Sequence, residues 1–145
     1  MAIKFEFREM TDVEFKQEKD SFNKHGSEYG NPPEKQERLG FVATNNEDFV
    51  GTSSGLAQKN NGQYEEYFYL TDLLVEKKYR KKGYGKQLLK LLEKKIKEIG
   101  VKHIWTWTAA YEAETFYLKQ GYKEFVRFEK FYPSGHARVG LIKKL

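Results

Sequence analysis

The chain of 145 residues contains no cysteine. That one absence removes disulfides, thiolate metal ligands and a cysteine nucleophile together, and it suits a cytoplasmic protein. The three histidines, His25, His103 and His136, lie far apart in the chain and match no metal spacing, so no metal site is expected. There is no apolar run of membrane length, no low-complexity segment and no internal repeat. The start, Met1-Ala2-Ile3-Lys4-Phe5-Glu6, alternates charged and apolar side chains and resembles neither a secretory nor a transit peptide. A single domain over residues 1–145, cytoplasmic and without a membrane partner, is the expectation.

Aromatic residues at 16% and hydrophobic ones at 39% are enough for a packed core. The net charge of +5 is concentrated at one place. Residues 76–86 carry Lys77, Lys78, Arg80, Lys81, Lys82 and Lys86 against Glu76 alone, which is the whole imbalance; elsewhere 20 basic residues face 20 acidic ones. Such a run is commonly a solvated turn. Here it sits at a change of periodicity. Tyr67 to Val75 has strand composition, whereas from Tyr84 the residues Leu88, Leu91, Leu92, Ile96 and Ile99 recur on one helical face, stopped by Gly100. A strand, a glycine turn and a helix N-terminus aim backbone N–H groups at one spot, where a phosphate or pyrophosphate fits.

Two familiar phosphate loops are excluded by residue. GxxxxGK[ST] would need glycine at position 80 and Ser or Thr at 87, where the chain has Arg80 and Gln87; GxGxxG fails at Leu88. What stands is Val75-x-x-x-Tyr79-Arg80-x-x-Gly83-x-Gly85, and this resembles the acyl-CoA loop of the GNAT superfamily of N-acetyltransferases, R/Q-x-x-G-x-G/A. Leu70-Thr71-Asp72-Leu73-Leu74-Val75 is similar to the strand before that loop. Ala113 to Tyr122 is similar to the later A-x-x-x-Y-x-x-x-G-F/Y element. The resemblance spans about residues 67–125. It implies an α+β fold with a mixed, mostly antiparallel sheet of about seven strands flanked by about four helices.

Read in order, the chain predicts a strand at Ile3–Met10, then a helix capped by Thr11 with Glu14 as capping box and ended at His25-Gly26. A short helix is expected from Pro33 to about Arg38, with strands at Leu39–Thr44 and Phe49–Lys59, and the Asn60-Asn61-Gly62 turn leading into the strand run Tyr67–Val75. After the Tyr84 helix come a strand at Val101–Thr108, a helix at Glu112–Gln120 and a hairpin of Tyr122–Tyr132 with His136–Leu145 across Pro133-Ser134-Gly135.

Acyl transfer to an amine needs a held thioester, a polarised carbonyl, a deprotonated amine and a proton for the leaving thiolate. The resemblance implies acetyl-CoA as cosubstrate, held by the backbone of Leu73, Leu74 and Val75 and by Arg80, Lys81, Lys82, Gly83, Tyr84, Gly85 and Lys86, with Ala113 and Tyr117 beside its arm. It makes Tyr117 the general acid; by composition alone Tyr117 is an amphipathic core tyrosine. Asp72, an aspartate among strand apolar residues, reads either as the group that orients or deprotonates the ammonium or as a structural carboxylate. Glu28, Glu65 and Glu66 are spare acidic candidates. Trp105 and Trp107 read as core or pocket wall. Loops 26–34 and 132–137, with Glu28, Tyr29 and Glu34, are expected to face the acceptor. Direct transfer to a primary amine of a small molecule or peptide is the leading function, by a monomer or homodimer without nucleic acid. A non-catalytic CoA-binding or regulatory module and a nucleic-acid-binding domain using the Lys77–Lys86 patch are the alternatives.

Overall fold

The computed structural model describes residues 2–33 and 35–145. The chain falls into two compact units, Met1–Glu34 and Lys35–Leu145.

In the first unit α1 runs Asp12–Glu28. The expected capping box is formed. Thr11 Oγ1 accepts from the Glu14 N–H at 3.2 Å, and Glu14 Oε2 accepts from the Thr11 N–H at 2.8 Å. The helix passes through Gly26 instead of stopping there. Gly30, with φ of 80°, ends it, as the Asn31 and Gly30 N–H groups close back on the Gly26 and Ser27 carbonyls. A single glycine costs a helix only about 1 kcal/mol and is tolerated inside one. The strand expected at Ile3–Met10 does not form. Alternation supplies a pattern, but a strand exists only where a neighbour accepts its hydrogen bonds.

The second unit begins with β1 (Lys35–Asn45), β2 (Asp48–Asn60) and β3 (Gln63–Val75), an antiparallel meander. The short helix expected over 33–38 is absent among the described residues (Glu34 lies outside them). Lys35 to Arg38 instead pair with Lys59 to Leu56, so cross-strand pairing overrides the local helix signal. A 3₁₀ turn, Lys77–Tyr79, leads to α2 (Tyr84–Glu98), β4 (His103–Ala109), the six-residue α3 (Glu114–Lys119), β5 (Lys123–Phe128) and β6 (Arg138–Lys144). The sheet order is β1-β2-β3-β4-β6-β5, with β3 and β4 as its one parallel pair. The described residues therefore hold six strands and three α-helices, in the expected mixed α+β class.

One face of the sheet is the core. Phe68, Leu70, Ile104, Val139 and Leu141 pack against Leu89, Leu92 and Ile96 of α2 and Tyr117 of α3. Each such buried apolar side chain contributes about 1.5–3 kcal/mol. The helix turns its face slightly from expectation: Leu89 is buried and Leu91 is 41% exposed. The other face carries an aromatic row. Tyr67 stacks on His103, Tyr69 on Trp105 and Trp107 on Phe128, with ring centroids 4.5, 4.1 and 5.6 Å apart.

Candidate active site

The site grows from the parallel pair. Register is held at only three positions, Tyr67 with His103, Phe68 with Ile104 and Tyr69 with Trp105; beyond them the strands part. At the point of parting Thr106 donates its hydroxyl to the Leu70 carbonyl at 2.8 Å. A strand that leaves its neighbour keeps polar groups free on that edge. Leu73, Leu74 and Val75 still pair with β2 on their other side, opposite Ser53, Thr52 and Gly51.

The parting coincides with a β-bulge. Ser54 faces Asp72 and Gly55 faces Leu70, so Thr71 is one residue extra. Before it, Phe68 and Leu70 face the core. After it, Leu73 does, and Asp72 and Leu74 are exposed on the aromatic face. The bulge thus brings the Asp72 carboxylate to the outer mouth of the opening. Arg38 Nη1 lies 3.2 Å from Asp72 Oδ2, and the Thr71 hydroxyl donates to the same oxygen at 2.7 Å. The pair is half exposed, so its attraction is modest, and its effect is to fix the carboxylate's position. Glu66, by contrast, sits at the other end of β3 in an ion pair with Lys102 at 2.9 Å.

Below β3 the loop turns as its glycines suggest. Gly83 is the N-cap of α2 with φ of 82°, a conformation that favours glycine, and Lys81 is also left-handed at 63°. The first helical bond runs from Gln87 N–H to the Gly83 carbonyl; the N–H groups of residues 81–86 donate to no carbonyl among the described residues. Gly85 is ordinary in backbone, and a Cβ there would meet only Val75 Cγ2 at 3.7 Å, so the fold itself does not demand a glycine. Arg80 turns its Nε back onto the Val75 carbonyl at 2.9 Å, clamping the loop to the end of β3. Lys78 is tied to Asp48 at 2.9 Å, with Tyr79 Oη donating to the same carboxylate oxygen at 3.2 Å. Lys77, Lys81, Lys82 and Lys86 have no ion-pair partner among the described residues.

Tyr117 approaches the opening from the core side. It is 5% exposed, and its ring meets Phe116 and Tyr122 edge-on at 5.4 and 5.2 Å. Burial pushes its phenol up to about 12, only partly offset by a hydrogen bond with the Thr106 hydroxyl, while Glu112 adds to the rise. The same Thr106 that closes the strand junction is thus the neighbour of the Tyr117 hydroxyl. Ala113, the N-cap residue of α3, accepts the Tyr117 N–H one turn away. Behind them Tyr122 donates to Glu93 at 2.8 Å, and Lys143 Nζ reaches both Glu93 oxygens at 3.1 Å, a closed cluster joining α2 to β6.

Leu73–Val75 and Asp72 thus lie on the part of β3 beyond its pairing with β4, the loop at 80–86 is clamped to the end of that strand through Arg80, and Tyr117 belongs to the core cluster, with Ala113 packed against it. Arg38, Thr106 and the bulge at Thr71 adjoin these residues, and no sequence signal points to them. Arg38 stood in an expected helix, and a threonine in a strand carries no special signal. The loop Phe131–Ala137 borders β6, and Tyr111 packs its ring on His136 at 4.9 Å.

The profile of the acetyltransferase (GNAT) domain matches residues 36–124. The chain belongs to the GNAT acetyltransferase family. It is an acyl-transferring enzyme whose acyl donor is acetyl-CoA. An acetyltransferase from Bacillus cereus is similar to it at 26% identity and a TM-score of 0.81, over 97% of this chain and 98% of that one. An aminoglycoside 6′-N-acetyltransferase in complex with coenzyme A shares the fold at 22% identity and a TM-score of 0.61, over 91% and 84%. So does the ribosomal-protein-S18-alanine N-acetyltransferase of Escherichia coli, at 21% and 0.62, over 74% and 68%. A search of curated proteins finds no sequence match. Among the described residues no helix is long and apolar enough to cross a membrane.

Proposed function

We propose that this acetyltransferase moves the acetyl group directly from acetyl-CoA to a primary amine of a small molecule or peptide. The observation that carries this reading is the opening between β3 and β4, with Tyr117 on the core face and Asp72 on the other. A thioester lying in the opening presents one side of its carbonyl to each.

The steps follow from the residues. The free N–H groups of residues 81–86 and the positive end of α2 hold the pyrophosphate, with the unpaired lysines adding attraction. Free N–H groups on the edge of Leu73–Val75 bond the pantetheine arm and polarise the thioester oxygen. Asp72, fixed by Arg38 and Thr71, orients the ammonium and takes its proton directly or through water. The amine nitrogen bonds to the carbonyl carbon as the C–S bond breaks. The Tyr117 phenol, still protonated at neutral pH, gives its proton to the departing sulfur, and the proton that the nitrogen sheds as the amide forms returns to the phenolate through water. With no cysteine in the chain, transfer needs no acyl-enzyme.

A thermal shift with coenzyme A, paired with a thiol-release assay over amines, polyamines, aminoglycosides and peptides, tests the reading. Coenzyme-dependent stabilisation with amine-dependent thiol release is the expected result. Stabilisation without release from any acceptor would leave a coenzyme-binding module, and neither effect would refute the site.

A further inference from the structure

The amine must enter from the aromatic face, because α2 and α3 both feed the core cluster on the other side. That face holds a cation with no counter-charge. The Arg138 guanidinium lies 4.9 Å from the Trp107 ring centroid and 5.3 Å from that of Phe131, half-buried at the first residue of β6. It makes no ion pair and no side-chain hydrogen bond among the described residues. The contrast with its neighbours is sharp. Arg127 of β5 is shared by Glu114, Glu124 and Glu129, and Arg38 is matched by Asp72. Two rings fix the plane of Arg138 and leave its donor fork unspent, an arrangement that suits a planar, bidentate anion.

Its place relative to the opening follows from register. Arg138 pairs with Ala109 at the end of β4, two residues past Trp107, and β4 is the strand that parts from β3. Asp72 stands across that gap on the same face. Two interstrand spacings set the Asp72 and Arg138 backbones about 10 Å apart or more. A molecule reaching both would carry its ammonium and its anion several bonds apart.

We propose that Arg138 is a specificity residue that receives a carboxylate of the acceptor, so that the preferred substrates are amines bearing a distant carboxylate and not polycations. This rests on the acceptor entering at Asp72 as the amine-transfer reading requires. No proton or bond changes at Arg138; it binds and aligns.

Three amines of matched chain length test it: ε-aminocaproate, n-hexylamine and hexamethylenediamine. The wild-type enzyme is expected to show the highest kcat/KM with ε-aminocaproate. Arg138→Gln is expected to raise the KM for ε-aminocaproate roughly tenfold or more, the scale of a lost charge-assisted pair. It should leave the KM values for acetyl-CoA and n-hexylamine and the melting temperature unchanged, and Arg138→Lys should restore part of the loss. A merely structural arginine would lower the melting temperature or raise all KM values alike. Equal or better use of n-hexylamine or the diamine by wild type overturns the inference and leaves amine transfer standing. Quenching of tryptophan fluorescence by ε-aminocaproate, lost in Arg138→Gln, supports the carboxylate site even if none of the three is acetylated, which would instead count against amine transfer. Absence of both the ε-aminocaproate preference and the quenching overturns the Arg138 site itself.

Discussion

The hydroxyl of Thr106 donates to the carbonyl of Leu70 at 2.8 Å and also acts on the Tyr117 phenol, lowering a pKa that burial raises. One side chain thus ends the β3–β4 junction and positions the proposed acid beside the gap that follows.

Tyr117→Phe keeps the ring between Phe116 and Tyr122 and removes only the donor. The expected outcome is a kcat lower by roughly 10²–10⁴ with little change in coenzyme affinity. Turnover and melting temperature measured on one preparation separate this from a structural tyrosine, for which turnover per folded molecule would stay near wild type.

Alkaline stability follows from the same phenol. Its folded-state value, about 12, lies above the ordinary 10, so the native protein retains a proton that the unfolded chain releases. That contribution is complete below pH 10 and is lost as pH rises to about 12. Tyr122, raised by burial and by Glu93, declines in the same direction. Tyr117→Phe should therefore lose melting temperature less steeply than wild type above pH 10. Parallel slopes would mean that burial does not perturb Tyr117.

The loop makes a claim about space. A methyl at residue 85 meets only Val75 Cγ2 at 3.7 Å, and alanine favours a helix by up to about 1 kcal/mol over glycine. Gly85→Ala should melt no lower than wild type yet bind coenzyme A more weakly by calorimetry, and Gly85→Glu should abolish binding in a folded protein. Unchanged affinity in the glutamate variant would move the pyrophosphate elsewhere.

Neutralising Lys77, Lys81 and Lys82 should raise the KM for acetyl-CoA more than that for the amine. The effect should be severalfold at low salt and shrink in high salt, since exposed charges are screened beyond about 10 Å at 0.1 M. Lys78 is held by Asp48 and should matter less. A salt-independent KM for acetyl-CoA would make the patch incidental.

What could be read from the chain alone was whatever is encoded locally. The Thr11–Glu14 cap, the Gly83 turn and the face of α2 each depend on residues a few positions apart, and each was found within a residue or two. The bulge at Thr71 depends on how β2 and β3 align, and no residue in either strand announces it. Arg38 reaches Asp72 across 34 positions of sequence, invisible while 33–38 reads as a helix. The same non-local pairing that erased that helix is absent at Ile3–Met10, where clean alternation led to a strand that does not exist.

The extra residue in β3 acts on side chains as a frameshift acts on codons. With Thr71 present, Phe68 and Leu70 look inward by their even numbers, and Leu73 by its odd one. Were Thr71 to pair in regular register, without the bulge, everything up to the loop would change phase: Asp72 would turn beneath α2 and Leu73 would turn out to water. Length changes between residues 70 and 76 are therefore far more disruptive than their size, whereas the Asn60–Gln63 turn can lengthen at the cost of loop entropy alone. Any attempt to retune this enzyme by recombining segments with a relative should join them in that turn and carry the stretch from Leu70 to Gly85 as one indivisible cassette.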